Sequence, residues 1–131
     1  MVARYIKMKT LAIITLLALV GCSSIEPVHD HALHHVVLRW LKEPGNAKHR
    51  NQIIEVSMSF RKIPGVLEVR VGQVVPSDRE IVDDSFDVAI LVVVPDQKRL
   101  AEYLDHPIHQ KAKKDTLLPF VDKIVVYDFR E

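Results

Sequence analysis

Residues 86–94 read Phe-Asp-Val-Ala-Ile-Leu-Val-Val-Val, apolar almost without a break and rich in β-branched side chains. The run is far short of the roughly twenty residues that a membrane-spanning helix needs, so it reads as a strand. Side chains of a strand alternate between two faces. Here both faces are apolar, with Val92 on one and Val93 on the other, so both have to be covered. The rest of the chain must supply the covers.

Five further segments carry regular patterns. Residues 34–42 (HHVVLRWLK) are β-branched and aromatic and form a first strand. Pro44-Gly45-Asn46 is a turn, with Asn46 the N-cap of a helix over 47–62. In that helix Ile53, Val56, Phe60 and Ile63 recur at three- and four-residue spacing and make one buried stripe. Pro64-Gly65 stops it. Residues 66–75 alternate Leu67, Val69 and Val71 against Glu68 and Arg70, a second strand, and 76–85 is a charged loop. After the third strand, Asp96 caps a helix carrying Leu100, Tyr103 and Leu104. His106-Pro107 interrupts it, because the residue before proline is pushed out of the helical region, and Pro107 restarts it as far as about Lys114. Residues 123–129 (KIVVYDF) are the last strand.

The order β-α-β-β-α-β predicts an α+β, ferredoxin-like fold: an antiparallel sheet with helices on one face. The helices cover one face of 86–94, and a second copy of the same sheet is the simplest cover for the other. The expectation is a homodimer with its sheets face to face, which also thickens a core that is thin in a chain of this size.

The N-terminus carries an address. Arg4, Lys7 and Lys9 precede the apolar run 11–20, and no acid occurs before Cys22. That is the layout of a secretory signal, and the run is too short to span a bilayer. Leu19-Val20-Gly21-Cys22 resembles a bacterial lipobox, and the chain's single Cys stands where a lipobox needs it. The expectation is a signal peptide over 1–21, a lipidated tether over 22–33 starting at Cys22, and one domain over 34–131. An ordinary signal peptide with an incidental Cys is the alternative. By similarity to lipoproteins of two-membrane bacteria, Ser23 after the Cys implies the outer membrane, facing the periplasm. Met8 is a second sensible start.

Loss of 1–21 removes three cations and no anion, taking the net charge from +1 to mildly negative. Nucleic acid is not an expected partner. One Cys excludes a disulfide framework and a Cys-rich zinc site. Gly72 stands alone, without a phosphate-cradling loop, and no Gly-x-Ser-x-Gly elbow is present. His29, Asp30, His31, His34 and His35 contain imidazole and carboxylate, but their spacing matches no closed metal site, so no metal and no cofactor are expected.

Several stretches together resemble the stress-responsive dimeric α/β-barrel (Dabb) family: His35-Val36-Val37-Leu38, Ile63-Pro64-Gly65-Val66, Val71-Gly72, Tyr103-Leu104-Asp105-His106-Pro107-Ile108-His109 and Val126-Tyr127-Asp128-Phe129. The resemblance implies the same fold, a homodimer and a link to stress tolerance. A plant polyketide cyclase of that family has a Tyr and a His separated as Tyr103 and His109 are, and implies His109 as general base with Tyr103 orienting the substrate. An imidazole with an ordinary pKa of about 6.5 suits proton abstraction next to a carbonyl.

Each candidate has a plainer alternative. His109 is a base, a ligand contact or a structural histidine. His106 contacts ligand or caps the interrupted helix. Tyr103 reaches the site or packs with Leu100 and Leu104. His34 and His35 alternate, so at most one faces a pocket, and the resemblance favours His35. The functional expectation is an envelope-anchored module that binds a small apolar or aromatic ligand; the alternative is a cofactor-free cyclase or lyase acting through His109.

The anchor is testable on its own. Cys22→Ala should leave the precursor unacylated and move the protein out of the membrane fraction. Unchanged fractionation, with no acyl mass on the wild-type N-terminal peptide, would refute lipidation.

Overall fold

A computed structural model describes residues 31–131; the expected signal peptide, Cys22 and most of the expected tether lie outside the described residues. The elements are β1 (Leu33–Leu41), α1 (Ala47–Met58) running into a 3-10 turn (Ser59–Lys62), β2 (Glu68–Gln73), β3 (Val88–Val94), α2 (Gln97–Asp105), α3 (Pro107–Ala112), a π turn (Lys113–Leu117), α4 (Leu118–Phe120) and β4 (Val121–Arg130). The four strands form one antiparallel sheet in the order β2-β3-β1-β4. This is the ferredoxin-like α+β arrangement that the element order predicts.

Boundaries moved where side chains alone decide them. β1 begins at Leu33, with Ala32 buried just before it, so the ordered domain reaches into the segment expected as tether. β2 and β3 are shorter than their apolar runs, because pairing between them ends at Gln73 and Val88. Just before β3, the Asp87 carboxylate accepts hydrogen bonds from the backbone amides of Leu41 (2.9 Å) and Gly45 (2.7 Å). Asp87 thereby ties the turn before α1 to the sheet. Gly45 holds a φ of 75° there, which glycine adopts without strain. Asn46 caps α1 by accepting from the His49 amide.

Alternation sorts the sheet into two faces. Leu33, His35, Val37, Arg39 and Leu41 of β1 are buried and His34, Val36, Leu38 and Trp40 are half-buried. Across β3, Val88, Ile90, Val92 and Val94 join the buried face and pack with Ile53 and Phe60 from the α1 side and Leu100 and Tyr103 from α2. Each fully buried valine contributes about 1.5–3 kcal/mol relative to exposure. Among the described residues the opposite face carries no helix. It presents Val36, Leu38, Leu91, Val125, Tyr127 and Phe129, with Tyr127 59% and Phe129 51% exposed. Val93 belongs to this open face by register yet is already buried within a single chain, so it is a weaker probe of any outer contact than its pattern suggests.

The two faces should therefore respond differently to charge. Val92→Asp should lower stability by about 3–5 kcal/mol in urea unfolding, because it strands a charge in the core. Leu91→Asp should leave one chain folded and reduce the mass seen by light scattering from two chains to one. A wild type with the mass of one chain at micromolar concentration would refute the face-to-face pairing.

Candidate functional site

Between the sheet and the helical segment that follows β3 lies a cavity of about 480 Å³, within the roughly 300–1,000 Å³ of small-ligand pockets. β1 supplies His35, Val37 and Arg39, and β4 supplies Ile124, Val126 and Asp128 opposite them. The helical side supplies Tyr103, Leu104, His109, Lys113 and Leu117. Ile124 is 38% and Val126 45% exposed, so the cavity opens along its β4 wall.

The helix break assembles the catalytic-looking pair. Six residues along a continuous helix would turn Tyr103 and His109 about 120° apart. His106 instead adopts an extended ψ of 139° before Pro107, closing α2 and opening α3. The Tyr103 and His109 rings end up 4.7 Å apart between centroids. Phe60 packs against both, at 5.6 Å and 5.4 Å.

The same break sets the proton on His109. In an unbroken helix the Ile108 N–H would donate to the Leu104 carbonyl. Here it donates to His106 Nδ1 at 3.2 Å, which leaves the Leu104 carbonyl free. His109 Nδ1 donates to that carbonyl at 2.9 Å. A carbonyl can only accept, so the neutral ring carries its proton on Nδ1 and keeps a lone pair on Nε2. Burial holds the His109 pKa below its ordinary 6.5; the Leu104 contact pulls upward, and the positive fields of Arg39, His35 and Lys113 add to the lowering. Tyr103 is buried, and that burial pushes its phenol above its ordinary value, so it remains a proton donor in hydrogen bonds.

His35 is fixed from the far wall. Its Nδ1 donates to the Asp128 carboxylate at 2.6 Å, and its ring meets Tyr103 edge-on at 6.0 Å. His34 points to the open face and stacks on Phe129 at 4.7 Å. Of the expected residues, the structure thus gathers His35, Tyr103 and His109 around one cavity. Tyr103 is at once core residue and cavity wall. His106 does not line the cavity; its ring is the N-cap of α3.

Three lining residues escaped the sequence reading: Arg39, Asp128 and Lys113. Arg39 had a signal, since it lies in phase with His35 and Val37 on the strand. Asp128 meets His35 only through strand register, and Lys113 reads as one cation of an exposed run. Among the described residues no cluster of His, Cys, Asp or Glu is placed to hold a metal ion, and His29 and Asp30 lie outside them. No described helix is long and apolar enough to cross a membrane.

Residues 33–131 match the model of the stress responsive A/B barrel domain. No curated protein sequence matches the chain. Among solved structures, a hydroxynitrile lyase from Passiflora edulis superposes with a TM-score of 0.66 at 22% identity, over 77% of this chain and 94% of that one. A Dabb family protein with a ferredoxin-like fold from Mesorhizobium loti gives 0.62 at 20% identity, over 76% and 96%. A protein from Bacteroides fragilis, described as dimeric and ferredoxin-like, gives 0.63 at 18% identity, over 76% and 96%.

The ring state of His109 can be read directly. By NMR it should titrate with a midpoint below 6.5, and its neutral form should carry the proton on Nδ1. Below 6.5 the unfolded chain takes up a proton that the folded ring resists, so this group's contribution to stability is full above 6.5 and falls as pH drops toward the folded midpoint. His109→Gln should flatten that part of the pH dependence of urea unfolding. A midpoint at or above 6.5 would refute the assignment.

Proposed function

This chain belongs to the stress responsive A/B barrel domain family, and on that footing we propose that its cavity binds a small, largely apolar or aromatic ligand on which His109 acts as general base. The observation that carries the reading is the hydrogen bond from His109 Nδ1 to the Leu104 carbonyl. It orients a neutral imidazole whose Nε2 is the basic atom, in a cavity walled by Val37, Ile90, Leu104, Leu117 and Val126. Burial keeps that imidazole unprotonated near neutral pH.

The reaction class follows from the groups. Nε2 takes a proton from a carbon next to a carbonyl, and the C–H electron pair moves into the carbonyl as an enolate. The Tyr103 hydroxyl donates a hydrogen bond to the resulting oxyanion. The enolate carbon then forms a C–C bond to a second carbonyl, as in a cyclase; that carbonyl's π pair moves to its oxygen, which takes the proton back from Nε2. In the lyase direction Nε2 takes the proton of a hydroxyl, the adjacent C–C bond breaks as the carbonyl forms, and the departing carbanion takes that proton back from Nε2. Neither direction needs a cofactor. The likeness to a hydroxynitrile lyase supports a fold able to host such chemistry. Ligand capture without turnover is the plainer form of the proposal, and it uses the same apolar walls.

The proposal extends to the setting. The chain works lipid-anchored through Cys22 in the cell envelope, which the lipobox pattern of residues 19–22 supports. Two copies pair through the open sheet faces, which the exposed Tyr127 and Phe129 and the dimeric descriptions of relatives support.

Acetophenone in D2O is a suitable probe, being apolar, aromatic and acidic next to its carbonyl. Wild-type protein should shift the His109 ring resonances on binding it and should wash deuterium into its methyl group about 100-fold faster than His109→Ala. The rate should fall as pH drops below the His109 midpoint. Ring shifts without faster wash-in would refute the base and leave ligand capture; absence of both would refute both.

A further inference from the structure

Arg39 is the anomaly of the cavity. It stands on β1 between Val88 of β3 and Ile124 of β4, on the face covered by helices. It is 7% exposed, and its Nε has no hydrogen-bond partner. Neither nearby carboxylate serves it. Asp128 pairs with His35, four residues along the strand from Arg39, which is roughly 13 Å at the rise of a strand. Asp87 is held by the amides of Leu41 and Gly45. An arginine stays charged when buried, and a buried charge without a partner is destabilising. An apolar residue such as Met would fill the same volume without that penalty.

What Arg39 does face is the cavity. Lys113 stands on the same cavity's helical side and adds a second cation. We infer that Arg39 is the anchor for an anionic head group, so that the cavity's ligand is a small carboxylic acid with an apolar body. The inference rests on the cavity being a ligand site, as proposed above. A planar guanidinium presents two parallel N–H groups that match a carboxylate. Because Arg39 is itself buried, that pairing is stronger than at a fully exposed surface. The apolar body then lies along Val37, Ile90, Leu117 and Val126, with His109 and Tyr103 beside it. Arg39 thereby selects the ligand's charge, while His109 and Tyr103 act on its reactive carbon.

A matched pair of probes tests this: 4-phenylbutyrate and its uncharged amide, 4-phenylbutanamide. They have the same apolar body and differ in the head group. Binding is followed by calorimetry and by the His109 ring resonances, in wild type, Arg39→Met and Arg39→Lys. Wild type should bind the carboxylate about 10- to 100-fold more tightly than the amide. Arg39→Met should lose that preference while binding the amide as well as wild type does, and should unfold at the same or a higher temperature. Arg39→Lys should keep part of the preference. Equal wild-type affinity for the two probes overturns the anchor and leaves the cavity reading intact. A preference that survives in Arg39→Met also overturns it. If neither probe binds wild type or shifts His109, both the anchor and the cavity reading fail.

Discussion

The structure depends on the two-residue alternation of β1 between two flanking strands. Because β1 is paired on both edges, it cannot slip by one residue without exchanging every side chain between the faces. Its odd-numbered residues build the floor of the core and the cavity, from Leu33 through His35, Val37 and Arg39 to Leu41. Its even-numbered residues face the other way, where His34 stacks on Phe129 and Lys123 lies 4.3 Å over the Trp40 ring. One strand thus lines the cavity on one side and presents an outer surface on the other. A change at a single position on β1 therefore acts on one of these tasks and spares the other.

The second determinant is a defect placed in a helix. Pro107 lacks an amide proton, and His106 takes the Ile108 amide for its own ring. The Leu104 carbonyl is left over and accepts from both His109 and Gln110, at 2.9 Å and 2.6 Å. His106 thus shapes the site without touching the cavity: it diverts the donor that would otherwise occupy the carbonyl that orients His109. The break is also why a tyrosine and a histidine spaced six apart converge.

Much of this was legible in the sequence, for physical reasons that differ by element. The element order followed from periodicity and breakers, and Asn46, Asp96 and Pro107 marked helix ends by their own chemistry. The need for a second cover followed from the apolar third strand. Strand ends were less legible, because pairing sets them: β2 stops at Gln73 although Val74 and Val75 continue its apolar run. The Tyr103–His109 pair was legible through its spacing and the proline between, whereas the Leu104 carbonyl was not, since it belongs to the backbone. Asp128 was hidden because its partner is chosen by strand register. Arg39 was in plain view on the alternating strand, yet an arginine within an apolar run reads as an exposed edge residue until the strand is known to be central.

His35 and Asp128 are 93 positions apart in the chain. Of the four strands, β1 leaves the ribosome first, and the strand that holds its histidine leaves last. Pairings of such separation form late, because a long loop must close before any contact rewards it. A chain truncated before β4 would keep β1 beside β3 and the helices above them. It would lack Ile124, Val126 and Asp128, one whole wall of the cavity. The cavity therefore exists only once β4 has paired with β1, and a copy clipped before β4 lacks it.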